Sequence, residues 1–346
     1  MLTLLLVFRL IEDPPYLARL KAVGVKFDYM GIAFLALGVG ALQILLDKGQ
    51  EDDWLGSRFI TTLAITAGVC LVSLVIWEWF RKQPIIDVRL FKNLNYLGSC
   101  LMMFTLGILL FSSLVLMPQF LETLPGYTAE LAGLVLSGGA IVLVLALPLV
   151  GQLTTKFQAR YIIAFGWLSL SVAMYYSTAR LDLLISFTSA TWLRVAQVVG
   201  LGFLFVPTTL VAYVGISPEK SNSVAGMINF MRNIGSSVGT SMVTTIIARR
   251  SQFHQSILVG HATSTNQGYY RLVSGLTARF LRLGQSPPDA QAHALARAYQ
   301  SLQAQAATLA YIDVFWILSV GAAIMFILSF LLRKNNPQGG GEAVAV

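Results

Sequence analysis

Charge is what this sequence lacks most. Of its 346 residues only 12% are Asp, Glu, Lys or Arg, while 56% are hydrophobic. A soluble domain carries about 25% charged residues, so a water-facing surface would need roughly twice what is here. The shortage excludes a disordered chain and argues against a soluble globular enzyme. Cysteine is scarce too. Cys70 and Cys100 stand alone, and two isolated thiols make neither a disulfide framework nor a zinc cluster. The three histidines, His254, His261 and His293, are spaced unlike a zinc site and read as solvated loop residues. No Walker A sequence occurs, and Gly38-Val-Gly40 and Gly200-Leu-Gly202 lack the third glycine of a dinucleotide fingerprint. No Ser/His/Asp arrangement has a recognisable local context, so neither a cofactor nor a metal nor a catalytic residue is expected. The net charge of +8 raises the question of nucleic acid. In a chain this apolar, a basic excess points instead to Lys/Arg loops beside a membrane, and nucleic acid is not an expected partner.

Long apolar runs are what the chain has. The hydrocarbon core of a bilayer, about 30 Å thick, takes about 20 apolar residues of helix to cross. Eight runs answer to that need: 29–46, 59–79, 96–121, 130–152, 161–178, 187–214, 222–248 and 312–332. They make up just over half of the chain, yet Glu78, Glu130, Arg194, Arg232 and Asp313 are the only charges inside them. Each span must satisfy its own backbone hydrogen bonds, so the expected fold is an all-α membrane protein with eight transmembrane helices. Charge also orients it. The loops on one side, with the segments before the first run and after the last, hold thirteen Lys and Arg. The short loops opposite hold Lys48, Arg58 and Arg180. This places both termini in the cytoplasm. The long segment 249–311 falls outside, and its Ala-, Gln- and Leu-rich stretch 289–309 predicts a helix or helical hairpin there. Residues 1–10 (MLTLLLVFRL) are apolar but too short to span, and they lack the basic start and cleavage site of a signal peptide. They read as the last turns of a membrane helix whose beginning is absent.

Arg232 is the most informative single residue. It is eleventh in its run, roughly 15 Å along a helix and near the bilayer midplane. A central Arg costs at least about 2.5–3.5 kcal/mol, so it must face a polar cavity or a partner, with Asn229 one turn away. Two readings stay open: an arginine lining a transport cavity, or a structural tie to backbone carbonyls. Arg194 is shallower, with room to snorkel outward, and Gln197 three residues on extends a polar stripe toward a cavity. Gln119, next to Pro118, is a further candidate lining residue. Glu78, Glu130 and Asp313 lie within three residues of a span end and read as interface residues. Gly235-Ser-Ser-Val-Gly239 has the small-xxx-small spacing of close helix packing. Pro118 and Pro148 predict kinks in their helices.

Three segments carry a resemblance. Thr191-Trp-Leu-Arg194-Val-Ala-Gln197 through Pro207, Asn229-Phe-Met-Arg232-Asn-Ile-Gly235 through Ser241, and Leu124-Pro-Gly-Tyr127 through Leu134 resemble the EmrB-type exporters. These form the fourteen-span drug:proton antiporter branch (EmrB/QacA) of the major facilitator superfamily. The resemblance covers almost the whole chain. It implies two linker spans within 27–95 (29–46 and 59–79), a C-terminal six-span bundle over 96–332, and a cytoplasmic tail at 333–346. Residues 1–26 would then be the tail of a sixth span and a loop. The N-terminal six-span bundle would be missing, and with it the antiporter motif and the proton-binding carboxylate.

The implied function is proton-coupled efflux of lipophilic compounds by alternating access, in a bacterial inner membrane. The site would comprise Arg232, Asn229, Arg194, Gln197 and Gln119. Small-molecule substrate, proton, lipid bilayer, periplasmic adaptor and outer-membrane channel are the implied partners. The competing reading is a non-transporting half, truncated or split from a separate N-terminal bundle. Export of another class, such as siderophores or fatty acids, is a further alternative. One loop departs from the superfamily pattern: Thr155 stands where Asp is expected and Gln158 where Gly is, which puts the bundle-latching ion pair in doubt.

Overall fold

The computed structural model describes residues 28–333, except 53, 82, 83, 85, 218, 219 and 264. The segment 1–26 and the tail from 334 onward lie outside the described residues, and with them the reading of 1–10 as a helix end. The described residues form nine α-helices and no strand: α1 (Tyr29–Lys48), α2 (Arg58–Phe80), α3 (Leu94–Thr123), α4 (Ala129–Lys156), α5 (Ala159–Arg180), α6 (Phe187–Ala212), α7 (Ser221–His261), α8 (Gln267–Arg282) and α9 (Pro287–Ser329). Every one of the eight apolar runs lies on a helix.

Sequence sets many of the starts. The side chains of Asp28, Asn93, Thr128, Ser186, Asn266 and Ser286 each accept a backbone N–H from the first turn of the helix they precede. Pro287 and Pro288 occupy the first turn of α9, where a missing N–H costs nothing. Seven of the nine helices are long and apolar enough to cross a membrane. The remaining run, 222–248, sits on α7, which Asn222, Asn229, Arg232, Asn233 and a series of Ser and Thr make too polar to join them by composition alone. Several of its hydroxyls are nonetheless satisfied within the helix, although those of Ser241 and Thr245 are buried without a partner. Ser236 and Ser237 donate to the Asn233 carbonyl, Thr240 to Ser236 and Thr244 to Thr240. Back-bonding of this kind lets a Ser- and Thr-rich helix lie among apolar neighbours.

Six helices make one bundle. α3 packs chiefly against α7, α4 against α6, and α5 against α6 and α9. The pairings cross over between α3–α4–α5 and α6–α7–α9, so the two triplets interlock. The α3–α7 seam is the tightest. A Cβ on Gly107 would stand 2.2 Å from the Arg232 carbonyl oxygen, and one on Gly235 would stand 2.0 Å from that of Phe104. Only glycine lets the two backbones approach so closely, which is the packing role its spacing predicted. Across α5 and α9, the Ser171 and Ser319 hydroxyls each donate to the other residue's carbonyl, at 3.0 and 2.9 Å. Trp167, Tyr96, Phe120 and Phe315 fill the interior between these seams.

α1 and α2 form a separate hairpin against one side of the bundle. Asp28 joins its two ends, accepting from Trp77 Nε1 at 3.1 Å and pairing with Arg81 at 3.2 Å. The hairpin touches α7 through a hydrogen bond from the Ser237 hydroxyl to Gln43. The segment 249–311 is not an independent loop. α7 continues through it to His261, α8 follows, and α9 runs unbroken from Pro287 into the last span. The helix expected at 289–309 is therefore the leading half of a 43-residue helix, about 64 Å long.

Candidate functional site

The five polar residues singled out by sequence occupy two different environments. Arg194 and Gln197, both on α6, are interior. Arg194 is 4% exposed, and its Nη1 donates to the Ser113 hydroxyl of α3 at 3.1 Å. Its Nε has no hydrogen-bond partner. Gly139 on α4 leaves room for the side chain: a Cβ there would stand 3.0 Å from Arg194 Cγ. The expected outward snorkelling is therefore not what the fold does. The long side chain turns inward because α3 offers an acceptor and α4 offers space. Gln197 is fully buried and donates from Nε2 to the Ser177 hydroxyl on α5 at 3.0 Å, while its Oε1 has no partner. The two side chains thus diverge, one toward α3 and α4 and the other toward α5, and they do not share one stripe.

Arg232, Asn229 and Gln119 lie at the bundle surface. Arg232 is half-buried on α7, with its guanidinium carbon 5.1 Å from the centroid of the Phe205 ring on α6. That is a cation–π contact, and among the described residues the guanidinium makes neither an ion pair nor a hydrogen bond. Its backbone carbonyl lies in the seam with Gly107, so the arginine is fixed at the tightest point of the bundle while its charge stays available. Asn229 is exposed and donates to the Ala225 carbonyl at 3.0 Å, so its amide is used within its own helix. Gln119 is exposed on α3; its carbonyl takes the Thr123 hydroxyl at 2.6 Å. The fold therefore gathers Arg232 with Phe205, ties Arg194 to Ser113 and Gln197 to Ser177, and leaves Asn229 and Gln119 on the outside.

Other polar contacts went unnoticed in the sequence. Asp313 was expected at an interface and His254 in solvent. Instead Asp313 Oδ2 lies 2.6 Å from both Arg250 Nε and His254 Nε2, joining α7 to α9. The turn-to-turn repeat Arg250–His254 was a legible signal for a shared partner, but its distance in sequence from Asp313 hid which one. Glu78 is buried at 1% exposure, and Gln43 donates to the Asp47 carboxylate one turn on, at 3.1 Å. Glu130 is exposed in the first turn of α4, where a negative charge suits the helix start. In the loop that departs from the superfamily pattern, Arg160 stacks on Tyr161 at 4.6 Å and donates to its hydroxyl. Neither Lys156 nor Arg160 has a carboxylate partner among the described residues. Tyr127, in the third resembling segment, donates to the Ile185 carbonyl at 2.8 Å and pins two loops together.

No family model matches the chain. Among curated proteins it is similar to the "Multidrug export protein EmrB" of Escherichia coli K12, 30% identical over 323 residues that cover 92% of this chain and 61% of EmrB. The "Probable multidrug resistance protein EmrY" of the same strain is 36% identical over 239 residues, covering 68% of this chain and 46% of EmrY. The "Fatty acid resistance protein FarB" of Neisseria gonorrhoeae is 31% identical over 263 residues, covering 75% of this chain and 51% of FarB. The chain thus spans at most about three fifths of the length of these relatives. It is a multi-pass membrane protein, and its homologues are EmrB- and EmrY-type multidrug export proteins of the major facilitator superfamily, at 30–36% identity over most of the chain.

Proposed function

We propose that this chain serves the proton-coupled efflux of lipophilic small molecules, with residues 96–332 as a C-terminal bundle and 27–95 as a pair of linker spans. Kinship with proteins named for multidrug export and fatty acid resistance supports that reading. Within the structure one observation carries it: Arg232, near mid-depth, held over Phe205 with no carboxylate on its guanidinium among the described residues. A structural tie would spend its donors on backbone carbonyls, and Arg232 does not. A cation kept uncompensated at that depth suits a surface that meets solute and a facing bundle in turn. Alternating access needs two bundles rocking around a midplane site, and the described residues supply one of them. Arg194 and Gln197 act from within, holding α6 against α3 and α5, while Asn229 and Gln119 flank the working face.

The membrane is a bacterial inner membrane in this reading. Basic Arg81, Arg89, Lys92, Lys156, Arg160, Lys220 and Arg333 gather at one end of the helices, and that end is cytoplasmic. A periplasmic adaptor and an outer-membrane channel complete the route outward. The test is accumulation of a fluorescent lipophilic cation in cells expressing the gene that encodes this chain. Expression is expected to lower accumulation, an uncoupler to restore it, and Arg232→Gln to restore it without loss of protein from the membrane. Accumulation that ignores both expression and uncoupler sinks the proposal.

A further inference from the structure

At the end of the bundle where α3 begins, the fold forms an open cavity of about 540 Å³. It is built from three places distant in sequence. Arg89 and Lys92 come from a 3-10 turn, Val88–Lys92, that leads into α3. Asn93 and Asn95 come from the helix start, and Arg333 comes from the end of α9. The turn after α6 closes the wall. There Gly215 takes a positive φ of 76°, and the Val214 carbonyl accepts from Asn93 Nδ2 at 3.0 Å. A side chain at Gly215 would be strained in that conformation.

The charges in this cavity are one-sided. Arg89, Lys92 and Arg333 line it, and no acidic residue does. The carboxylate next to the turn, Asp87, is already taken by Lys220 at 2.6 Å. Arg89 is anchored by donating Nη2 to the Trp79 carbonyl at 2.6 Å, where α2 ends. The Lys92 amine lies 5.7 Å from the Trp79 ring. Arg333 is fixed through its backbone N–H, which donates to Asn95 Oδ1 at 2.8 Å. Asn95 is itself only 2% exposed, so the side chain that positions Arg333 is a built part of the wall. None of the three cations has a carboxylate partner among the described residues. The positive end of the 30-residue α3 adds to the same field.

Three cations converging on one hollow repel each other until an anion enters. The volume exceeds what a bare ion fills, since a water molecule occupies about 30 Å³ of liquid. Exposed Leu94 and Leu97 continue from the same helix end as an apolar surface. We propose that this cavity binds a phosphate anion, that of an acidic phospholipid headgroup, in the leaflet where α3 begins. The phosphate sits among Arg89, Lys92 and Arg333, the glycerol portion meets the Asn93 and Asn95 amides, and the acyl chains run down past Leu94 and Leu97. Basic pockets between transmembrane helices suit such headgroups. The proposal rests on the membrane placement of the bundle and not on any transported substrate.

The experiment is native mass spectrometry of the purified protein released from vesicles of equal phosphatidylglycerol and phosphatidylcholine. The wild type is expected to retain phosphatidylglycerol preferentially. Lys92→Gln with Arg333→Gln, two exposed side chains with no hydrogen bond among the described residues, is expected to lower that retention about 30-fold. Lys48→Gln with Arg180→Gln, at the other end of the helices, is expected to retain the lipid like the wild type. A second arm measures the thermal midpoint in lipid-free detergent with millimolar inorganic phosphate. A phosphate-dependent rise that the Lys92/Arg333 variant loses, without any lipid preference, keeps the phosphate site and overturns the lipid source. Equal retention of both lipids with no effect of phosphate overturns the site itself, as does a Lys92/Arg333 variant that behaves like the wild type.

Discussion

The central helices α3 and α6 and the hairpin helices α1 and α2 are all apolar enough to cross a bilayer, yet they live differently. In α3 and α6, 56% of the most apolar stretch is buried within the protein; in α1 and α2 it is 17%. Apolar content alone thus marks a span without saying whether lipid or protein surrounds it. What separates the two pairs is the use of small and polar residues. α3 spends Gly107 on backbone contact with α7 and Ser113 on Arg194. α2 turns Thr61, Thr62 and Thr66 back onto its own carbonyls. A seam between helices is written in a few residues, and the lipid-facing side of a helix needs none of them.

The largest expected effect comes from filling the tight seam. Gly235→Leu would drive a side chain into the Phe104 carbonyl, and overpacking against backbone costs more than about 3 kcal/mol. The variant is expected to vanish from the monodisperse peak in size-exclusion chromatography. Gly40→Leu and Gly68→Leu, in the hairpin where a Cβ meets nothing within 4 Å, are expected to run like the wild type. Equal loss in all three would erase the contrast between the regions.

Next is the buried cation. Ser113→Ala takes the acceptor from Arg194 and is expected to destabilise by about 1–3 kcal/mol, read as a lower thermal midpoint. Adding Arg194→Met to that variant is expected to recover most of the loss, because a buried charge without a partner is worse than an apolar side chain. Smaller again is the reciprocal serine pair. A double-mutant cycle with Ser171→Ala and Ser319→Ala is expected to give a coupling of about 0.6–1.7 kcal/mol. Smallest is the link between the two regions. Gln43→Leu is expected to leave the thermal midpoint within about 0.6 kcal/mol of the wild type.

The spans were plain from sequence because burial in lipid demands long apolar runs, and every run proved helical. Asn93, Thr128 and Ser286 stand just before the helices they start, a local signal that the hydropathy pattern alone does not use. The polar site was legible only in part. Arg194 and Arg232 stood out because charge is rare inside spans. Which of them would turn inward depended on Ser113 and Gly139, which lie far away in sequence and are ordinary residues in isolation. Phe205 was likewise invisible as the platform for Arg232, one aromatic among twenty phenylalanines. The cavity at the start of α3 was hidden for the same reason: Arg89 and Lys92 lie more than 240 residues from Arg333, and only packing brings them together.

The unbroken length of α9 has a mechanical consequence. Residues 287–311 continue the axis of the last span for roughly 37 Å, stiffened by α8 packed along them and by the Asp313 contacts to α7 at their base. A rigid rod of that length is a lever. A tilt of 10° within the bundle, too slight to alter most packing contacts, would swing its tip through about 6 Å. A spectroscopic label at the exposed Asp289 would therefore magnify rearrangements that are nearly invisible where they begin.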